Sequence, residues 1–356
     1  MNRVLEHILS KVQKPARYTG GEFNAVVKDK REVDLRYALC FPDTYEIGMS
    51  NLGCRILYGV MNQRPDVWCE RCFAPWGDME EEMRRAGLLL YGLESGDPIA
   101  DFDILGFSLG YEMAYTNVLN MLDLAGLDLR ASDRRELAPL VVAGGTCCYN
   151  PEPLAPFVDL FILGEGEEVT LEYIDLYLQA KEECWSKVEF LEEAAKIKGV
   201  YVPSFYEPVY REDGTLEEVK ALKGAPELVT KRIIQDMDKA YFPVKTIIPS
   251  TEIVHDRVML ELFRGCIRGC RFCQAGYAYR PVRSRSPELL ERYGREACED
   301  SGYREITLSS LSSTDYPDLL PLCDGLLDYC APRDIALSLP SLRADTFSMS
   351  LMERLQ

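Results

Sequence analysis

Three closely spaced cysteines are the residues of this sequence best suited to chemistry. Cys266, Cys270 and Cys273 follow the spacing C-x-x-x-C-x-x-C, and the aromatic Phe272 stands directly before the last of them. Three thiolates on one short loop can hold an iron–sulfur cluster. A [4Fe–4S] cube has four irons, so one iron would stay open to a ligand from outside the protein. A zinc site normally uses two cysteine pairs or a histidine partner, and the chain has only 2 histidines. The spacing therefore predicts a cluster rather than zinc.

The charge around these cysteines differs from that of the whole chain. The 356 residues include 40 Lys and Arg against 58 Asp and Glu, for a net charge of -18. Within 257–285, however, seven arginines accompany a single acidic residue, Glu261. A cationic segment in an acidic protein favours a bound anion, such as a thiolate-ligated cluster or a carboxylate ligand, although a solvated basic loop is the alternative. The acidic balance also argues against a partner held by nucleic-acid phosphates.

The cysteine segment resembles the signature of the radical S-adenosylmethionine (SAM) enzymes, and the run 258–263 before it resembles the first strand of their partial (βα) barrel. The resemblance implies a [4Fe–4S] cluster whose open iron binds SAM through its amino and carboxylate groups. One electron, from a reductase such as a flavodoxin or ferredoxin, would then cleave SAM to a 5′-deoxyadenosyl radical. By resemblance, SAM contacts are expected in the cysteine loop and after later strands; ordinary capping of strand ends is the alternative. The expected contacts are Phe272, Arg280, Ser310, Ser338 and Arg343.

The C-terminal third reads as repeated βα units that would position this loop. A helix is predicted from Ser286 to about residue 300, a strand over 306–309, a helix over about 315–330 and a strand over 335–339. Asp345 is predicted to begin a further helix. Since eight βα units take roughly 250 residues, 257–356 has room for only the first half of such a barrel. We therefore expect an exposed strand edge after 335–339, and a fragment with little or no activity by itself.

The first half alternates strands with helices, a pattern that predicts a doubly wound parallel sheet of the flavodoxin-like or cobalamin-binding type. Strands are expected over 36–41, 67–73, 104–108, 140–143 and 158–163, and helices over 51–61, 80–86, 115–124 and 167–179. The predicted organisation is a lead-in over 1–34, a Rossmann-type domain over 35–180, a connector over 181–256 and the barrel half over 257–356. The fold class is thus α/β throughout.

Polar and glycine residues follow three of the predicted strands, where ligands of such sheets bind. They are Asp43, Tyr45, Gly48, Ser108, Gly144 and Gly145. In this order they resemble the cobalamin-binding domain often found ahead of radical SAM barrels, whose loop reads D-x-H-x-x-G. Tyr45 stands where that histidine would ligate cobalt, and a phenol with a pKa of about 10 is a poor substitute. Either cobalamin binds without a protein ligand on cobalt, or the fold serves another task; turn glycines are the simpler explanation of each loop.

Two functions follow from these observations. The first is a radical SAM enzyme that carries out cobalamin-linked methyl transfer, or a radical rearrangement, on an unknown substrate. The alternative is a non-catalytic iron–sulfur protein, for electron transfer or interaction, with an empty Rossmann-type domain. No apolar run approaches the ~18 residues of a membrane span, and the first residues lack the core of a signal peptide. A cytoplasmic protein with no membrane partner is therefore expected.

Overall fold

Two units of alternating strands and helices make up the protein, whose computed structural model describes residues 3–343, 345 and 349. The first unit comprises Met1–Ile233 and Pro249–Thr251, and the second comprises Ile234–Ile248 and Glu252–Gln356. The predicted limits of the Rossmann-type domain at 180 and of the connector at 256 do not coincide with this division, and they stay predictions. No helix in the described part of the chain is long and apolar enough to cross a bilayer.

A six-stranded sheet organises the first unit. Its strands are β1 (Leu35–Phe41), β2 (Val67–Phe73), β3 (Ile104–Ser108), β4 (Leu140–Gly144), β5 (Leu160–Ile162) and β6 (Val200–Tyr201). The order is β2-β1-β3-β4-β5-β6; the first five strands are parallel, and β6 runs antiparallel to β5. The order of the parallel strands is that of flavodoxin-like folds, in which ligands bind beyond the carboxyl ends of the strands near β1 and β3. The predicted doubly wound sheet is confirmed.

Helices cover this sheet because the connections between parallel strands must cross back over it. They are α1 (Arg3–Leu9), α2 (Tyr45–Met49), α3 (Leu52–Asn62), α4 (Gly77–Ala86), α5 (Tyr115–Leu124), α6 (Gly166–Glu182) and α7 (Lys187–Ala194). Local signals set several ends: Asn51 accepts from the Cys54 amide at the start of α3, and Ser186 and Glu189 form a capping box on α7. The four helices predicted here are confirmed.

A hairpin of β7 (Tyr206–Tyr210) and β8 (Leu216–Ala221) follows the sheet. Its turn contains Gly214 at a φ of 82°, a left-handed conformation that glycine adopts without strain. Both strands are largely exposed, so the hairpin lies outside the sheet core.

The second unit is built on a three-stranded parallel sheet of order β13-β12-β9. The strands of this unit are β9 (Val258–Glu261), β10 (Phe263–Arg264), β11 (Arg283–Ser284), β12 (Glu305–Ser309) and β13 (Ala336–Ser338). Its helices are α8 (Ala275–Ala278), α9 (Pro287–Ser301) and α10 (Leu319–Cys330). The succession β9, α9, β12, α10, β13 matches the predicted βα units. Among the described residues β13 pairs only with β12, so its other edge has no partner strand there. The helix predicted from Asp345 lies mostly on residues outside the described set.

The segment before β9 packs within the second unit. Arg285, only 1% exposed, donates to the carbonyl oxygens of Met237 and Ala240. The Phe242 ring stacks on Tyr293 of α9 with centroids 4.8 Å apart. A buried guanidinium needs several acceptors to replace lost water, and backbone carbonyls of this segment provide them.

Candidate cluster loop and strand-end sites

The three predicted cluster cysteines lie on the loop between β10 and α8, a short distance along the chain from β9, the first strand of the parallel sheet. All three are free of disulfides and partly exposed. The Cys273 amide donates to the Cys270 carbonyl over 3.1 Å, which closes a tight turn between the last two. Gly265, at a φ of 96°, opens the loop, and a Cβ there would lie 2.6 Å from the Pro281 carbonyl oxygen. The loop therefore starts in close backbone contact with the chain that follows α8.

The arginines of this segment are mostly engaged with other groups of the second unit. Carboxylates pair with four of them: the pairs are Arg257–Glu305, Arg264–Glu261, Arg268–Asp315 and Arg285–Glu261. Arg280 Nε donates to the Cys266 carbonyl oxygen over 3.3 Å, and Arg283 donates to the carbonyl of Ile234. Folding thus compensates part of the local positive charge: three carboxylates, Glu261, Glu305 and Asp315, pair with four of the seven arginines.

The donor set fits an iron–sulfur cluster. Within the described residues, no group of three or more His, Cys, Asp or Glu side chains is arranged to hold one metal ion. A cube is ligated at separate iron corners, so its cysteines need not converge on one point as the ligands of a single ion do. Three uncrosslinked, partly exposed thiols within eight residues meet that requirement.

The predicted SAM contacts come from loops at one edge of this sheet. Ser310 follows β12 and Ser338 ends β13, so both lie at carboxyl ends of neighbouring parallel strands. The Ser310 hydroxyl accepts from the Ser312 amide over 3.2 Å, a contact that agrees with the alternative of ordinary strand-end capping. Phe272 is 93% exposed, and Arg343 donates to both carboxylate oxygens of Asp345. Their role towards SAM stays a prediction.

Asp315 is a residue of this region that the sequence interpretation took only for the beginning of a helix. It ends a short 3-10 turn after β12, and its carboxylate receives two hydrogen bonds from Arg268 of the cysteine loop. The Arg268 guanidinium holds the pKa of Asp315 below its usual range. The sequence around Asp315 does not indicate a partner 47 residues away.

In the first unit, the loops after β1, β3 and β4 are tied together at the carboxyl edge of the sheet. Asp43 accepts from the Thr44 amide over 2.7 Å and from the Tyr111 hydroxyl. The Leu109 amide donates to the Gly144 carbonyl over 2.7 Å. Gly145 has a φ of 113°, and a Cβ there would lie 2.5 Å from the Leu109 carbonyl oxygen. Glycine is therefore required at position 145 because the loop after β4 lies against the loop after β3.

An exposed apolar rim accompanies these loops, which the sequence interpretation missed. Tyr111 and Met113 follow β3, Tyr149 follows β4, and Met113 is 84% exposed. The sequence does show apolar residues shortly after two predicted strands, and this feature could have predicted the rim, because ligand sites of doubly wound sheets lie after the strands. Such a rim could pack against a large, flat ligand.

Three other predicted residues face inward. Tyr45 is 2% exposed, and its hydroxyl donates to Glu22 Oε1 over 2.9 Å. A Cβ on Gly48 would lie 2.2 Å from the Phe73 ring, so packing of α2 on β2 accounts for that glycine. Ser108, the last residue of β3, is partly buried. Packing within the unit thus explains these positions without a ligand.

The two units define a radical SAM architecture, in which a doubly wound domain precedes a parallel (βα) sheet with a three-cysteine loop. The family described as "Radical SAM proteins, N-terminal" matches residues 53–203, and "Radical SAM superfamily" matches 260–355. The chain belongs to the radical SAM superfamily, whose members use an iron–sulfur cluster and SAM.

Two proteins are similar to this chain in sequence. The uncharacterized protein MJ0966 of Methanocaldococcus jannaschii is 28% identical over 322 residues, which are 90% of this chain and 58% of that protein. The threonylcarbamoyladenosine tRNA methylthiotransferase MtaB of Bacillus subtilis is 27% identical over 100 residues, 28% of this chain and 20% of the relative. The chain thus spans well under two thirds of each relative's length.

Solved structures share the fold. The radical SAM methyltransferase TsrM of Kitasatospora setae, with cobalamin and a [4Fe–4S] cluster bound, aligns with a TM-score of 0.51 and 11% identity. A second TsrM structure, with tryptophan substrate and a SAM analogue, aligns equally well at 12% identity. Both alignments cover 88% of this chain and 56% of TsrM, and they show likeness of fold alone.

Proposed function

We propose that this protein is a radical SAM enzyme in which Cys266, Cys270 and Cys273 hold a [4Fe–4S] cluster. The observation that carries the proposal is the position of these thiols on the loop after β9, at the same edge of a parallel sheet as the loops after β12 and β13. Sites of parallel βα barrels gather at this edge. When bound and reduced, the cluster would supply the electron for cleavage of SAM.

The chain's own part in this chemistry is binding, orientation and exclusion of water. Three thiolates would leave one iron open for the amino and carboxylate groups of SAM, and Ser310, Ser338 and Arg343 would offer hydroxyl and guanidinium donors to it. A flavodoxin or ferredoxin is the proposed electron donor.

Cobalamin is proposed as a second cofactor, at the carboxyl edge of the first unit. The linked loops after β1, β3 and β4 and the exposed Tyr111, Met113 and Tyr149 support it, since a flat macrocycle buries a large face against apolar groups. TsrM, which shares the fold, binds cobalamin. No imidazole follows β1, and the Tyr45 phenol is engaged with Glu22. We therefore assign no protein ligand to cobalt, and we propose methyl transfer as the reaction, with radical rearrangement as the second possibility.

Anaerobic reconstitution of the protein with iron and sulfide, followed by SAM and a strong reductant, tests the enzyme. The expected product is 5′-deoxyadenosine from the wild-type protein and none from Cys270→Ala. A wild-type protein that holds a cluster but forms no 5′-deoxyadenosine would support the alternative of a non-catalytic iron–sulfur protein. Cobalamin is tested separately, by retention of a corrinoid spectrum after gel filtration.

A further inference from the structure

The cysteine loop has little hydrogen bonding of its own. Between Gly265 and Cys273, the described backbone–backbone bonds amount to one, from the Cys273 amide to the Cys270 carbonyl. Two glycines, Gly265 and Gly269, add conformational freedom. Ordering such a segment costs about 1–2 kcal/mol per residue in backbone entropy, so an outside anchor is needed to present three thiols together.

Arg268 lies in the middle of this loop, between the first two cysteines, and it reaches Asp315 after β12. Nε donates to one carboxylate oxygen over 2.9 Å, and Nη2 donates to the other. Two parallel bonds fix the orientation of the guanidinium as well as its position, which a lysine cannot do. The side chains are 31% and 12% exposed, so solvent screens the pair only in part.

Asp315 is itself held in place. Its amide donates to the Ser312 carbonyl over 2.9 Å. Ser313, two residues before it, donates through its hydroxyl to the Pro340 carbonyl over 2.8 Å and through its amide to the Ser341 carbonyl over 3.3 Å. The carboxylate is thus mounted on a turn that joins the carboxyl ends of β12 and β13.

We propose that the Arg268–Asp315 pair is a clasp that holds the cysteine loop in the shape that receives the cluster. Arg268 and Asp315 are therefore positioning residues and touch neither iron nor SAM. The pair joins the cysteine loop to the turn at the ends of β12 and β13. It therefore fixes the position of the thiols relative to the expected SAM contacts on these strand ends. Preorganisation lowers the entropic cost of binding, and its loss shows as weaker retention of the bound group. The cluster part of this inference rests on the proposed function.

Two variants of the full chain test the clasp. Asp315→Asn removes the charge of the acceptor, and Arg268→Lys keeps the positive charge but not the paired bonds. Glu305→Gln is the control: it removes the charge of the acceptor in the Arg257–Glu305 pair, 2.6 Å long, at the opposite end of β12. The two arginines are similarly exposed, whereas Glu305 is more exposed than Asp315. Thermal unfolding of all variants checks that each is folded.

The first measurement is loss of the reconstituted cluster to an iron chelator, followed by absorbance. We expect loss about two- to fivefold faster in Asp315→Asn and Arg268→Lys than in wild type, the range that a partly exposed ion pair supports. Glu305→Gln should lose its cluster at the wild-type rate. Folded Asp315→Asn and Arg268→Lys proteins that both match wild type would overturn the clasp.

The second measurement needs no cluster. Hydrogen–deuterium exchange is followed at the hydrogen-bonded amides of Cys273 in the loop and of Ser313 and Asp315 in the turn that carries the carboxylate. In the metal-free protein, exchange at these amides should be faster in both clasp variants than in wild type and Glu305→Gln. Equal exchange in all four proteins would reject the clasp. A wild-type protein that takes up no cluster would instead refute the proposed function, and this exchange experiment would still decide whether the clasp exists.

Discussion

The Tyr45 hydroxyl donates to Glu22 Oε1 over 2.9 Å inside the first unit, at the position where the cobalamin-binding loop it resembles carries a histidine. Glu22 also receives the Arg71 guanidinium, whose Nε donates in turn to Glu94 over 2.7 Å. Burial, together with Glu22, raises the pKa of Tyr45, so the phenol stays protonated as a donor. Tyr45 therefore fastens the residue 22 region of the lead-in to the end of β1.

Tyr45→Phe should lower the free energy of unfolding by about 1 kcal/mol, because one buried hydrogen bond is lost while Glu22 keeps Arg71. Urea unfolding at pH 7 measures this, with Tyr210→Phe on the exposed hairpin as a control that should change nothing. The corrinoid spectrum of the cobalamin-loaded protein should be the same in Tyr45→Phe and wild type. A shift of its visible bands would mean that the phenol contacts cobalt.

Glu22→Gln should make the free energy of unfolding less dependent on pH in the acidic range. Burial would raise the pKa of Glu22, but Arg71 outweighs it and the pKa is lowered in the folded protein. A carboxylate with a lowered pKa stabilises the fold above its unfolded pKa of about 4.3, and this contribution is lost as the pH falls through the folded value.

We expect Glu22→Gln to be about 1–3 kcal/mol less stable than wild type at pH 7, with the difference shrinking below about pH 4. Urea titrations across this range test it. Glu81→Gln, which breaks the exposed Glu81–Arg85 pair on α4, is the comparison and should cost less than about 1 kcal/mol. A difference between Glu22→Gln and wild type that grew on acidification would contradict the assignment.

Gly145→Ala should be more damaging than Gly214→Ala, although both glycines have positive φ. An alanine at 214 meets nothing within 4 Å, so only backbone strain of about 1 kcal/mol is expected there. At 145 the new Cβ would lie 2.5 Å from the Leu109 carbonyl oxygen, and the added overpacking brings the cost to about 3 kcal/mol. Thermal and urea unfolding of the two variants would show whether loop contact, rather than φ alone, requires Gly145; equal costs would argue against it.

Cys270→Ala should abolish the cluster, since two remaining thiolates leave two irons without protein ligands. Iron and sulfide analysis after reconstitution measures this, with exposed Cys184→Ser as the control that keeps wild-type content. Retention of full iron by Cys270→Ala would remove this residue from the ligand set.

Much of the fold could be predicted because its signals are local. The alternation of strand-like and helix-like segments predicted the bounds of β2, β3 and α5 to the residue. The cysteine spacing also singled out a loop that lies after the first strand of a parallel sheet. These features depend on neighbours within a few positions, which a single sequence displays.

The polar anchors could not be predicted in the same way. Glu22–Arg71 and Arg268–Asp315 join residues 49 and 47 positions apart, and nothing in the composition near either residue indicates its partner. The carboxylates that pair with Arg268 and Arg257 were equally hidden, because Asp315 and Glu305 lie on a later turn and strand. Long-range pairing of this kind follows from topology rather than from pattern.

The contacts of the Arg285 guanidinium affect where a recombinant fragment of the second unit should begin. Its acceptors, the carbonyls of Met237 and Ala240, lie about twenty residues before the first strand of the unit they help to build. A recombinant fragment begun at Arg257 would leave this buried cation without those oxygens and Tyr293 without its stacked ring, whereas one begun before Ile234 would retain both. The starting residue chosen for expression thus decides whether the cysteine-bearing half can be handled alone.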